Sequence, residues 1–271
     1  MDLSIIIVSF NVGKLLKECI ESILKNKNEL SYEIIIVDNA STDNSVKIVK
    51  KLGVKELRVI ENKKNLGFAK AVNQGIKKAR GDYILLLNPD TKVKPGSLKN
   101  LLSFAKSHPD VGVIGAKLIN PDGSIQSSVY HFPSLWRAFK EFWLGEKGAY
   151  EKYTPLGEKP LEVDAVTGAV MLISRKTIKK IGLFDERYFM YFEDLDYCRR
   201  VKKAGLKIYY LPTVKILHHH GQSAKKVGDQ ARKWLVKSSK IYNGIIKYWL
   251  LTFIIWSGQK WRKILKKIKM K

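Results

Sequence analysis

The sequence predicts an α/β fold, a mostly parallel sheet flanked by helices and followed by an amphipathic helical extension. Three observations predict it. Over residues 3–87, short apolar runs alternate with segments whose apolar residues recur at helical spacing. That β-α-β-α-β-α-β rhythm implies a parallel sheet with right-handed crossovers. Residues 81–91, GDYILLLNPDT, hold five consecutive apolar positions between Gly81 and Pro89. Such a run reads as a strand buried on both faces, and a proline that cannot donate to a ladder ends it. Acids then follow two of the strands, Asp38 and Asp90, at the strand ends where open α/β sheets bind ligands.

The elements follow in order. Residues 3–10 form the first strand, broken by Asn11 and Gly13, and Leu15, Leu16, Cys19, Ile20 and Ile23 mark a helix. Residues 33–37 form the second strand, ending in DNASTD, side chains that favour turns and helix N-caps. Val46 to Leu52 suggests a short helix, residues 57–60 a third strand and residues 68–79 a third helix. Beyond the fourth strand the rhythm changes. Residues 98–104 read as helix, 111–119 as extended chain and Asn120-Pro121-Asp122-Gly123 as a tight hairpin turn. Residues 131–160 read as a long loop with one helix near 136–144. A strand lies within 163–174, a helix over 175–181, and another opens at Glu193-Asp194-Leu195-Asp196. Residues 208–211 and 214–217 read as two short strands split by Pro212.

The chain of 271 residues, 45% hydrophobic, is long enough for a substantial core and is not disordered. Its net charge of +25 is uneven: residues 221–271 carry 14 lysines and arginines against one acid, Asp229. That imbalance points to a polyanion near the C-terminal end. Two cysteines, Cys19 and Cys198, fit neither a disulfide framework nor a zinc spacing and suit a reducing cytosol. MDLSIIIVSF has an acid at position 2 and no basic n-region, so it reads as a strand rather than a signal peptide.

Acids at the ends of separate strands are what a nucleotide and metal site requires. One accepts a base N–H, one holds a cation on a diphosphate, and one near a helix start acts as general base. Asp38, Asp90 and the Glu193-Asp194 pair occupy those positions, though N-P-D is also ordinary turn chemistry and acids also complement a helix N-terminus. Three consecutive histidines, 218–220, follow a strand. Neutral imidazole ligates ions such as Mn²⁺, and alternation along an extended chain lets at most two share a side.

Seven segments in order make a more specific pattern: SIIIVSFN (4–11), IIIVDNASTDNS (34–45), NLGFAKAVNQGI (65–76), GDYILLLNPD (81–90), TGAVMLISR (167–175), FDERYFMYFEDLDYCRR (184–200) and HHHGQS (218–223). Together they resemble the family 2 glycosyltransferases of GT-A fold, with its Rossmann-like sheet, and in particular the rhamnosyltransferase-like branch. The resemblance implies that Ser9 and Asn11 line a nucleotide pocket. Asp38 would accept the N3–H of uracil or thymine, with Asn39, Ser41 and Asp43 shaping that loop, and Asn73 would face the donor. Asp90 matches the last acid of the family's D-x-D motif, and Asn88 stands where its first acid would be, one carboxylate fewer beside the nucleotide. His218 matches a histidine that completes metal or diphosphate binding, with His220 as the alternative. Asp194 matches the catalytic base, and Glu193 and Asp196 would support it or contact the acceptor. The implied cofactor is Mg²⁺ or Mn²⁺, and the implied donor a dTDP- or UDP-sugar.

The domains expected are a catalytic unit over 1–225 and a basic, aromatic-rich helical extension over 226–271. Residues 248–259, YWLLTFIIWSGQ, are uncharged but too few to span a bilayer. KWRKILKKIKMK follows, and four of the six tryptophans lie beyond residue 230. Aromatics and lysines segregated on a helix suit an anionic membrane surface, or a helix packed on the catalytic unit. The expected place is therefore the inner face of the cell membrane, with a glycan or polyprenyl-linked acceptor. Nucleic acid is not expected, because no reader motif accompanies the charge. The competing functions are a nucleotidyltransferase of related fold and a non-catalytic basic binding protein.

Overall fold

The computed structural model describes residues 1–26, 30–219 and 228–269. Strands β1 (Leu3–Ser9), β2 (Tyr32–Asp38), β3 (Leu57–Glu61) and β4 (Tyr83–Leu87) are linked by helices α1 (Gly13–Leu24), α2 (Ser45–Lys51) and α3 (Phe68–Lys78). The four strands are parallel neighbours in the order β3-β2-β1-β4, as the alternation predicts. After β5 (Thr91–Val93) come α4 (Ser97–Ser107) and β6 (Val111–Ile119), which turns at residues 120–124 into β7 (Ile125–Gln126). Strand β8 (Val129–Tyr130) precedes helix α5 (Leu135–Phe139), which widens into a π turn over Lys140–Leu144. The remainder is β9 (Leu161–Glu162), β10 (Ala165–Val166), β11 (Val170–Ser174), α6 (Arg175–Ile181), α7 (Glu193–Lys203), β12 (Lys207–His218), α8 (Asp229–Asn243) and α9 (Ile245–Lys269).

The sheet continues past β4 as β11-β6-β12-β5, with β11 antiparallel to both neighbours. Residues 163–174 thus hold two strands: β10 pairs with β8, and β11 fills the centre of the main sheet. The two strands expected around Pro212 are one. The register of β12 against β6 slips between Leu211 and Lys215, and that irregularity accommodates a residue without an N–H.

Alternation along the central strands explains their unbroken apolar runs. Ile5, Ile7, Ile34, Ile36, Leu85 and Leu87 pack on one face with Leu16, Ile20 and Ile23 of α1. Ile6, Ile35, Val37, Ile84 and Leu86 pack on the other with Val72 and Ile76 of α3. Both faces are covered, so the interior polar positions of these strands are paired, as where the Ser4 hydroxyl donates to Glu33 at 2.7 Å. Truncating one such isoleucine to alanine costs about 2–5 kcal/mol.

Candidate active site

The carboxyl ends of β1, β2 and β4, the start of α7 and the end of β12 surround a cleft of about 690 Å³. Beside its mouth, the loop after β2 is stitched to the loop after β1. Asn11, at φ 56°, adopts the left-handed conformation that asparagine tolerates best among non-glycine residues. Its Oδ1 accepts N–H groups from Thr42 (2.7 Å) and Asp43 (3.2 Å), and its own N–H donates to Ser41 Oγ (2.9 Å). Ser41 gives its hydroxyl (2.6 Å) and its N–H (2.8 Å) to the Asp38 carboxylate. Asp43 accepts the N–H of Gly13 (3.1 Å) and of Ser45 (2.9 Å), tying the starts of α1 and α2 together. Asp38 is thereby fixed in orientation with lone pairs to spare, since a carboxylate offers about four acceptor sites.

Asn88, Asp90 and His218 meet at the junction of β4, β5 and β12. Asp90 Oδ1 lies 3.3 Å from His218 Nε2, and Asn88 Nδ2 donates to the same nitrogen (3.3 Å). On the far side of the ring, His218 Nδ1 donates to Gln126 Oε1 at 2.6 Å, which fixes the orientation of the ring with Nε2 toward Asn88 and Asp90. Cis ligands of an octahedral ion held at about 2.1 Å stand about 3 Å apart, so the Asp90–His218 spacing fits a shared divalent cation. Among the described residues no group of three or more His, Cys, Asp or Glu side chains could hold one. Such an ion would take its other ligands from phosphate and water, as Mg²⁺ commonly does.

The acids at the start of α7 are in a different state. Tyr191 and Phe192 both have left-handed backbones, at φ 70° and 68°, a conformation costing about 1–3 kcal/mol for each bulky residue. It turns Glu193 and Asp194 inward, where both are buried. Asp194 accepts the N–H of Gly168 (3.1 Å) and of Leu195 (2.8 Å), while Glu193 Oε2 has no hydrogen-bond partner. Burial, and after it the neighbouring Asp194, pushes the Glu193 carboxyl up; burial also pushes Asp194 up, against the Gly168 hydrogen bond and the Lys152 charge. A carboxyl whose pKa is raised binds a proton more readily, which suits proton transfer.

The strained turn is clamped from two sides. Gly67, at φ 84°, lets Phe68 N–H donate to Phe189 O (2.6 Å), and a Cβ there would fall 2.5 Å from that oxygen. From the other side α8 lies across residues 189–192. Ser238 Oγ donates to Met190 O (2.8 Å), Trp234 packs on Phe189 with ring centroids 4.5 Å apart, and Tyr242 packs on Phe192 at 5.3 Å. Trp234 and Leu235 therefore line the cleft itself, and the extension expected over 226–271 supplies one of its walls.

The cleft brings together Asn39, Asn88, Asp90, Glu193, Asp194 and His218. Asp38, Ser41, Asp43 and Asn11 stand outside this lining, and Ser9 is fully buried with its hydroxyl unpartnered. Two residues are turned elsewhere. Asn73 spends its amide on Phe184 and Glu186, bracing the segment before α7 rather than facing the cleft. Asp196 gives its oxygens to Arg199 (3.0 Å) and Arg200 (2.9 Å) of its own helix, and Arg199 in turn lies over the Tyr242 ring at 4.0 Å. His220 lies outside the described residues.

Sequence reasoning missed Gln126, Gly168, Trp234 and Lys152. Lys152 lines the cleft with its ammonium 5.3 Å from the Tyr130 ring centroid, in a stretch without periodicity. Gly168 and Gln126 act through single hydrogen bonds that only the fold creates.

This arrangement, a mostly parallel sheet with acids at its carboxyl edge and a buried acid pair opening a late helix, defines a GT-A glycosyltransferase. Solved structures agree on the fold. A GalNAc-T7 structure with UDP, GalNAc and Mn²⁺ superposes with a TM-score of 0.64 at 18% identity, covering 80% of this chain and 44% of that longer one. The mannosyltransferase PcManGT from Pyrobaculum calidifontis, with GDP-Man and Mn²⁺, gives 0.63 at 17% identity, covering 94% and 72%. Residues 4–182 match glycosyl transferase family 2, and the chain belongs to that family. It is 32% identical over 241 residues to the Mycobacterium tuberculosis N-acetylglucosaminyl-diphospho-decaprenol L-rhamnosyltransferase, covering 82% of this chain and 77% of the relative. It is 27% identical over 245 residues to the Escherichia coli rhamnosyltransferase WbbL, covering 88% and 91%.

Proposed function

We propose that the protein inverts configuration while moving a sugar from a dTDP- or UDP-sugar to a hydroxyl of a polyprenyl-linked glycan. The observation that carries this reading is one cleft with Asp90 and His218 on one side and the buried Glu193–Asp194 pair on another. Asp38 accepts the N3–H of the pyrimidine, with Asn39, Ser41 and Asp43 shaping its loop. Bound to Asp90 and His218, Mg²⁺ or Mn²⁺ would neutralise charge on the diphosphate. Asp194 takes the proton of the acceptor hydroxyl as that oxygen forms its bond to the anomeric carbon. The bond to the diphosphate breaks from the opposite face, and its electron pair leaves with the phosphate. Gly168 and Leu195 keep the receiving carboxylate aimed. Rhamnose is the sugar favoured by the names of the two relatives, and the lipid-linked acceptor by the first.

A membrane-facing surface supports the same acceptor. No helix among the described residues is long and apolar enough to cross a bilayer. Helix α9 nevertheless exposes Ile246, Trp249, Leu250, Phe253 and Trp256, and Trp136 of α5 is exposed as well. Lys240 lies 5.3 Å from the Trp249 ring and Lys260 4.0 Å from that of Trp256, the mixture that anchors a helix among anionic headgroups. The protein then works at the inner face of the membrane.

The deciding experiment incubates the protein with dTDP-rhamnose or UDP-sugars, Mn²⁺ and a polyprenyl-diphosphate-GlcNAc acceptor. Acceptor-dependent release of nucleoside diphosphate is expected. Release of pyrophosphate, or no release with any donor by folded protein, would sink the proposal.

A further inference from the structure

Nothing in the family resemblance singles out Lys152, yet its placement is built. In the π turn the buried Glu141 carboxylate accepts the N–H groups of Tyr150 (2.6 Å) and Glu151 (2.9 Å). On the other side, Tyr153 exchanges backbone hydrogen bonds with Val129 (2.9 and 3.2 Å). Lys152 is thus held between two anchors, beside the β8–β10 pair that leads to Gly168 and its hydrogen bond to Asp194. A π turn often marks a functional position, and here its acid anchors the segment that carries Lys152, whose side chain lines the same cleft as Glu193 and Asp194.

We infer that Lys152 is a positioning residue for proton transfer: its charge keeps the Glu193–Asp194 pair singly ionised, with the negative charge on Asp194 and the proton on Glu193. The inference rests on Asp194 being the base and adds how the base is kept ready. Two adjacent buried carboxyls cannot both ionise without a counter-charge. Asp194 accepts the N–H groups of Gly168 and Leu195, whereas Glu193 has only its own backbone N–H and its Oε2 has no donor, so the geometry divides the single proton unequally.

Three other groups facing the pair are neutral near pH 7. Tyr130 on β8, Tyr191 before α7 and Cys198 within α7 are all raised by burial. Glu151, next to Lys152, is raised by burial and then by Glu141. Lys152 itself is lowered by burial, and Asp194 and Glu193 oppose that; ammonium and carboxylates stabilise each other's charged forms.

The test needs no turnover. Carboxyl-¹³C NMR follows the pair in metal-free full-length protein, with Glu193→Gln and Asp194→Asn assigning the signals. Lys152→Met should move the ionisation of Asp194 up by about one pH unit or more, and Lys152→Arg should leave it near the wild-type position. Both variants are first matched to wild type in far-UV circular dichroism and melting. In turnover, the acid limb of kcat/KM should move up with the NMR titration in Lys152→Met while donor KM holds. An unmoved titration overturns the inference. So does a KM raised at every pH with the limb in place, which would assign Lys152 to a substrate phosphate. Failure of Asp194 as base shows separately, as full activity of Asp194→Asn.

Discussion

Two acidic regions flank the same cleft and are held in opposite ways. Around Asp38, serine and backbone donors saturate the loop, and each side chain fixes its neighbour. At Glu193–Asp194, two left-handed aromatic residues force acids into a place where one carboxylate oxygen has no donor at all. On the proposed roles the difference separates recognition from chemistry: Asp38, oriented by Ser41, suits a base edge, whereas at the pair the under-solvated Glu193 holds a proton and leaves Asp194, aimed by Gly168 and Leu195, to accept one.

The largest expected effect breaks the reactive side alone. Asp194→Asn should cost about 10²–10⁴-fold in kcat while the thermal shift given by dTDP or UDP with Mn²⁺ persists. Loss of the nucleotide shift as well would erase the contrast between the regions. A smaller effect lies between them, because Gln126 orients the His218 ring. Gln126→Leu should weaken Mn²⁺ binding about 10- to 100-fold, read by titration calorimetry in the presence of nucleoside diphosphate.

The third prediction concerns pH. Glu193 has its folded pKa raised, so the folded state binds a proton that the unfolded chain has released above about pH 4.3. Its contribution to stability therefore declines from there up to the folded pKa, then levels off. Glu193→Gln should raise Tm by a few degrees at pH 8.5 and leave it unchanged near pH 4 in differential scanning fluorimetry. A pH-independent difference would mean that packing, not charge, sets it. The smallest effect belongs to the saturated loop. Ser41→Ala should weaken dTDP or UDP binding by about 1 kcal/mol in the thermal-shift titration, with kcat at saturating donor unchanged.

Legibility in the sequence followed the same division. The first four strands were readable because apolar runs with turn residues at their ends report local structure, and Asp38 and Asp90 were readable as strand-end acids. The antiparallel insertion of β11 beside β4 was not, because pairing partners leave no trace in a strand's own pattern. Lys152 was hidden for a related reason: its neighbours Tyr130, Glu141 and Asp194 come from three separated segments. The partners of Asp196 and Asn73 were not readable either, because Arg199 and Arg200, or Phe184 and Glu186, take up their polar atoms only in the fold.

The seat of α8 on residues 189–192 also has a temporal consequence. A chain emerging from the ribosome completes the main sheet once His218 is available, since β12 bridges β6 and β5. The turn that aims Asp194 gains its outer cover only when Trp234, Ser238 and Tyr242 have followed. In chain order the sheet thus precedes the cover, and a molecule interrupted between those points would hold the strands of the sheet without α8 over residues 189–192.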